Sequence, residues 1–261
     1  MPAPVIYYIR HGETSWNAEG RLQGTQDIPL NDLGRRQAAH AGNVLADLFA
    51  REGRDKSALP FVASPLGRAR ATMELVRSAL KLPPEKYALD DRLREIGYGV
   101  WEGSTLAEMQ AADPVLYARR LTAKWTMAPE GGETYAEVQH RMRDWYDSVD
   151  SDTVAVAHGG TARALMVALG IETPASAADL LIEQGAVYVF RDGGLKKYSS
   201  GASWNDDGPF DRANPARYHR PRFKPRAPPC PSIPSATCSA SPPSAKAMAL
   251  PSAAWSTAAP R

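Results

Sequence analysis

Two apolar runs in this chain end in the same way. In "VIYYIRHGET" the segment Val5 to Ile9 is β-branched and aromatic, carries no charge, and gives way to Arg10, His11 and Gly12. In "TVAVAHGG", from Thr153, an equally apolar run stops on His158 and two glycines. Uncharged runs of this length suit strands covered on both faces. From Leu33 the spacing changes: Ala38, Ala41, Val44, Leu45 and Leu48 recur at three and four, opposite Arg35, Arg36 and Asp47. That is an amphipathic helix. "TARALMVALG" supplies a helix directly after the second run.

Further elements alternate in the same manner. "PFVASP", residues 60 to 65, is a short buried strand, and "LGRARATMELVRSAL" a helix with Ala69, Met73, Val76 and Leu80 on one side. Residues 83 to 132 are less regular, with a short helix near Leu106 to Ala111. Tyr135, Val138, Met142, Trp145 and Val149 mark a strong helix, for which Thr134 is the N-cap and Glu137 its capping-box partner. "AVYVF", 186 to 190, is taken as the last strand. Such alternation predicts an α/β fold with a mostly parallel central sheet and helices on both faces. Ligands of these sheets sit beyond the carboxyl ends of the strands, where both histidines fall.

After about Ser200 the pattern stops. Twelve of the 22 prolines lie in residues 201–261, which carry eight lysines and arginines against three aspartates. This Pro/Ala/Ser-rich basic tail is expected to be disordered, and residues 1–200 to form one domain. The body is mildly acidic, with 23 basic and 26 acidic residues. Both cysteines, Cys230 and Cys238, fall in the tail, so the body has no disulfide framework or thiolate metal site. The amino terminus lacks the pattern of a signal peptide, and no segment is an uninterrupted membrane span. A cytoplasmic location is the expectation. The tail lacks interleaved aromatics and an amphipathic face, so no specific nucleic-acid or membrane partner is expected. Nothing in the sequence specifies an oligomer.

Four separated pieces carry chemistry: "IRHGET" with His11, "SPLGRARAT" with Arg68, "LREIGYGVWEG" with Glu95, and "VAHGG" with His158. Over residues 5 to 195 their joint occurrence resembles the histidine phosphatase superfamily, which includes cofactor-dependent phosphoglycerate mutase and many acid and sugar phosphatases. The resemblance implies a three-layer, phosphoglycerate mutase-like fold in which His11 is the nucleophile that becomes a phosphohistidine. It implies that Arg10, Arg68 and His158 hold the phosphoryl oxygens, that Glu95 is the proton donor and that Asn17 contacts phosphate. Gln23, Gly24, Gly159 and Tyr98 are further candidates for substrate contact. Glu13 and Glu102 remain rivals to Glu95.

The residue types fit that chemistry. A phosphoryl group in transfer spreads negative charge over three oxygens and needs fixed, dry, positive donors around it. Arginine supplies two parallel hydrogen bonds and keeps its charge. Neighbouring cations keep the attacking imidazole neutral. A backbone carbonyl in the Gly12 turn can fix its tautomer. Gly12 itself is expected to let the main chain approach phosphate in a conformation closed to other residues. One carboxyl can protonate the leaving oxygen and then deprotonate water. No metal or cofactor is implied, because the histidines lack ligand spacing and the body has no acidic cluster. The other histidines, His40, His140 and His219, have no partner motif, and Arg70 is assigned to the surface. Trp101 is assigned to packing of the loop that carries Glu95.

Within the superfamily, Gln23 stands where mutases carry a hydroxyl residue, only 62 residues separate Glu95 from His158, and Leu106 replaces an expected lysine. These departures favour a metal-independent phosphomonoesterase acting on a small phosphorylated metabolite. Arg119 and Arg120 are similar to the paired arginines of mutases, or lie on a solvated helix. The alternatives are a bisphosphoglycerate-dependent mutase and a catalytically weak phosphate-binding or regulatory protein. Substrate specificity is assigned to residues 104 to 132, expected to lie over the phosphate.

Overall fold

The structure, a computed structural model, describes residues 3–199. In chain order the elements are β1 (Ile6–Arg10), α1 (Ser15–Glu19), α2 (Asp32–Glu52), β2 (Phe61–Ala63), α3 (Gly67–Ala79), β3 (Ala88–Leu89), α4 (Leu106–Ala112) and α5 (Pro114–Ala123). They continue with α6 (Tyr135–Asp147), β4 (Thr153–Ala157), α7 (Gly159–Ala168), α8 (Pro174–Ala177), β5 (Val187–Arg191) and β6 (Gly194–Tyr198). One sheet runs β3-β2-β4-β1-β5-β6. The first four strands are parallel; β5 and β6 join antiparallel.

Alternation along β1 assigns its side chains to two cores. Ile6 and Tyr8 pack with Val138, Met142 and Trp145 of α6 and Leu165 and Met166 of α7. Val5, Tyr7 and Ile9 pack on the opposite face with Val44, Leu45 and Phe49 of α2 and Met73 and Val76 of α3. Three layers result, with β1 covered on both sides as its composition predicts. Two tyrosines are tolerated in so apolar a strand because each hydroxyl has a partner. Tyr7 donates to Glu52 at the end of α2 (2.6 Å), and Tyr8 to the His158 carbonyl (2.7 Å).

Several expectations are corrected. "AVYVF" is not the last strand: β6 pairs with β5 through a tight turn in which Asp192 has φ 51° and Gly193 φ 71°. The segment 83–132 contains α5 as well as α4. Helix α7 starts at Gly159, earlier than the "TARALMVALG" run, because Gly159 and Gly160 form its first turn. Gly12 does not adopt a left-handed conformation. Its lack of a side chain serves packing instead: a Cβ there would lie 2.1 Å from the Gly34 carbonyl oxygen, and one on Gly34 would lie 2.0 Å from that of Glu13. The two glycines let the turn after β1 press against the start of α2. The tail, with Cys230, Cys238 and His219, lies outside the described residues. No helix among the described residues is long and apolar enough to cross a membrane.

Candidate active site

The parallel register of β1 and β4 sets Arg10 opposite Ala157, so His11 and His158 leave the sheet side by side. Their rings lie 5.1 Å apart between centroids, tilted by 58°. On the far side of β4, Ala63 of β2 stands opposite Val156 and delivers Ser64 to the same edge. Its Oγ is 2.7 Å from His158 Nε2. Leu66 N–H is donated to the same oxygen at 3.4 Å. When the Ser64 hydroxyl donates to Nε2, the ring hydrogen of neutral His158 sits on Nδ1, where an anion can accept it.

His11 is 2% exposed. Its Nδ1 lies 2.7 Å from the Gly12 carbonyl, an acceptor only, which places the hydrogen on Nδ1 and the lone pair on Nε2. Burial, then the charges of Arg68 and Arg10, hold its pKa well below the ordinary histidine value, against a smaller upward pull from the Gly12 hydrogen bond. Burial and the charge of Arg68 do the same to His158. Both rings are therefore neutral near pH 7.

Arg68, from the first turn of α3, is fully buried and anchored by donating Nη1 to the Gln26 carbonyl (2.5 Å) and Nη2 to that of Gly24 (2.8 Å). Arg10 donates Nη1 to the Ile182 carbonyl at 2.6 Å. These anchors leave three buried nitrogens with no protein acceptor: Arg10 Nε, Arg68 Nε and His158 Nδ1. Buried donors are seldom left unpaired. Three unpaired nitrogens here belong to groups that all act on His11 or lie beside it, and are available to an oxyanion.

Glu95 reaches this edge from the loop after β3. Its Oε1 accepts from Gly160 N–H at the start of α7 (3.0 Å) and from Ile96 N–H (3.0 Å). A Cβ on Gly160 would lie 2.3 Å from that oxygen, so the second glycine of "HGG" makes room for the carboxylate. The loop is clamped to α6 by Glu133, which accepts from Gly97 N–H (2.9 Å) and pairs with Arg141 (3.1 Å). The rival carboxylates are held by other partners. Glu13 accepts from Asn31 at the start of α2, and Glu102 accepts from Thr25, Gln26 and the Tyr98 backbone.

The other candidates divide. Asn17 closes the capping box of α1, and its Oδ1 accepts from Thr14 and from Gln184 (3.0 Å), leaving its NH2 as the half that can donate to an anion. Gln23 is buried with Oε1 unpaired, and Gly24 (φ 54°) supplies the carbonyl that anchors Arg68. Gly159 lies beside Arg10. Tyr98 is joined to Tyr135 and feels the charge of Glu95; burial first, then those two groups, raises its pKa well above the ordinary value. Arg119 and Arg70 are exposed, and Arg120 is buried with its guanidinium 5.8 Å from the centroid of the Trp101 ring. The arginine pair of α5 therefore does not act as a unit. His140 is exposed, 3.7 Å from Asp144. Among the described residues, no three His, Cys, Asp or Glu side chains come together as a metal site.

Sequence reasoning missed Ser64 and Gly160. Ser64 stood in "ASPL" and Gly160 in "HGG", but only the strand register and the position of Glu95 reveal what they hold.

Two neutral, buried histidines have a stability consequence. Above the ordinary histidine pKa neither folded nor unfolded chain protonates them; below it the unfolded state takes up protons that the folded state refuses. Stability should thus fall as pH drops below about 6.5, by up to about 1.4 kcal/mol per pH unit for each histidine. Urea unfolding between pH 7 and 5.5 measures this, and His158→Gln should flatten the slope. A midpoint independent of pH in that window would contradict it.

An imidazole with a free Nε2, beside a second neutral imidazole and two buried arginines that each keep an unpaired Nε at the carboxyl edge of an α/β sheet, suits a protein that handles phosphoryl groups. Comparison with known proteins gives the family: the model of the histidine phosphatase superfamily (branch 1) matches residues 6–198, and the chain belongs to that superfamily. It is 38% identical over 177 residues to a glucosyl-3-phosphoglycerate phosphatase of Mycolicibacterium vanbaalenii, covering 63% of this chain and 73% of the relative. It is 32% identical over 177 residues to a probable phosphoglycerate mutase of Erwinia tasmaniensis, covering 66% and 77%. A mycobacterial glucosyl-3-phosphoglycerate phosphatase solved with VO3 superposes with a TM-score of 0.61 at 30% identity, over 77% of this chain and all of that one (100%). The chain is a phosphoric monoester hydrolase acting on a small phosphorylated metabolite.

Proposed function

We propose that the chain hydrolyses its phosphomonoester through a phosphohistidine on His11. The observation that carries this reading is the trio of unpaired buried nitrogens, Arg10 Nε, Arg68 Nε and His158 Nδ1, around an imidazole whose tautomer leaves Nε2 free. Nε2 attacks phosphorus as the ester oxygen departs. The trio and Asn17 take the spreading charge, and Glu95 gives its proton to the leaving oxygen. Water then attacks the phosphohistidine, Glu95 accepts a proton from it, and inorganic phosphate leaves with His11 neutral again. The activity is assigned to residues 1–200.

The substrate class to which this site is best suited is a phosphoglycerate bearing a glycosyl group. Support comes from relatives 36–38% identical that are named glucosyl-3-phosphoglycerate phosphatases, against 30–32% for those named as probable mutases. A phosphomonoester dianion crosses a hydrocarbon layer only at great cost, so an enzyme using it belongs where it is made, in the cytoplasm.

Rapid quench with radiolabelled substrate tests the mechanism. An acid-labile, base-stable label on a peptide containing residue 11, chased into phosphate by water, is expected. Turnover with no such label at any quench time would refute it.

A further inference from the structure

Arg163 projects from α7 one turn beyond Gly159, and that glycine stands between two guanidinium groups: a Cβ there would lie 3.4 Å from Arg10 Nε and 3.6 Å from Arg163 Nη1. Arg163 is held rigidly. Its Nε donates to the Leu180 carbonyl (2.8 Å) and Nη1 to the Tyr135 hydroxyl (3.3 Å), while Tyr135 is stacked on Trp125 with centroids 5.0 Å apart. Among the described residues, no carboxylate comes within 4 Å of Arg163, Arg10 or Arg68. Arg163 and Arg10 repel one another, and Glu95 is the carboxylate whose charge favours both.

Burial opposes the Arg163 charge, and Tyr135, Tyr98 and Glu95 more than offset it, so the cation persists with no carboxylate in contact and can meet an anion that arrives beside Arg10. The phosphoryl dianion accounts for Arg10 and Arg68. It leaves Arg163 over. When Glu95 carries the proton for the leaving oxygen, the three arginines hold three positive charges against the two of a phosphomonoester. A substrate with one more negative group balances them.

We propose that Arg163 reads a carboxylate on the substrate, beside the phosphoester, and so selects phosphorylated carboxylic acids over neutral phosphorylated alcohols. Its clamp by Leu180 and Tyr135 leaves Nη2 to donate, which suits a planar carboxylate at a fixed place. The inference rests on the substrate class proposed above and adds the residue that recognises it.

The test uses the full chain and two substrates that differ at a single carbon, 3-phosphoglycerate with its carboxylate and glycerol 3-phosphate with a hydroxymethyl group. The wild type is expected to favour the carboxylate in kcat/KM. Arg163→Gln should shrink that preference about 10-fold to 100-fold, chiefly through KM, as expected for loss of one charged hydrogen bond. Arg163→Lys should recover part of it, which a folding defect would not. A Gln variant that keeps the wild-type ratio overturns the assignment of Arg163, as does a Lys variant no better than Gln. A wild type indifferent to the carboxylate overturns both the inference and the substrate class. None of these outcomes touches the phosphohistidine, which rapid quench reads separately.

Discussion

His11→Ala should abolish hydrolysis, lowering kcat/KM by at least about 10⁴-fold on every phosphomonoester, as loss of a nucleophile does elsewhere. The magnitude follows from what disappears. The cage of Arg10, Arg68 and His158 still binds the anion, but no atom remains to accept the phosphoryl group in line. The chain should stay folded, because His11 is a neutral group buried against two cations, and its main interaction is with the carbonyl of the next residue. Phosphate or vanadate should still protect the variant against heat, since the donors that meet the anion come from other residues. Measuring kcat/KM alongside ligand-induced shifts in Tm separates the two effects. A variant that retains turnover within tenfold of the wild type would place the nucleophile elsewhere.

Glu95→Gln should cost about 10² to 10⁴-fold in kcat/KM on alkyl phosphates, the usual range for a positioned general acid. Glutamine keeps the shape and can still accept from Gly160 N–H, so the loop should stay in place while the proton is lost. The loss should depend on the leaving group. An aryl oxide departs without protonation, so nitrophenyl phosphate should still phosphorylate His11 rapidly. Water must then attack without a base, and the trace should show a burst of about one nitrophenolate per site before slow turnover. Equal losses on alkyl and aryl substrates with no burst would remove Glu95 from proton transfer.

How much of this was legible in the sequence depended on how local the cause was. Thr134 and Glu137 were readable as a capping box because their partners are three residues apart, and the structure has both bonds, at 2.7 and 3.1 Å. The strands β1 and β4 were readable because full burial leaves an uncharged run. β6 was not: its sequence, "GLKKY", mixes two lysines into an edge strand with one face in solvent, so its hydrophobic signal is slight. α5 was obscured for a related reason, since Val115, Leu121 and Arg119 are exposed while Arg120 is buried, reversing the usual sorting of charge and apolarity.

The candidate site followed the same division. Residue types at the ends of β1 and β4 were explicit, because an apolar strand that stops on arginine, histidine and glycine has few other uses. Sequence could not choose among Glu13, Glu95 and Glu102, since carboxylates look alike until their hydrogen bonds are assigned. Nor could it place Ser64 against His158 Nε2, which needs β2 beside β4 with Ala63 opposite Val156. Gly12 was assigned to phosphate approach, whereas its space is taken by Gly34.

By itself the sequence determined the alternation of buried strands and helices, the family, and the residues that can carry a phosphoryl group, because periodicity and residue chemistry are written along the chain. Only the tertiary structure decided which donors are left unpaired, which carboxylate faces them and where Arg163 stands. Those depend on distances between residues 65 to 150 positions apart, set by sheet register and close glycine contacts, and no local pattern encodes them.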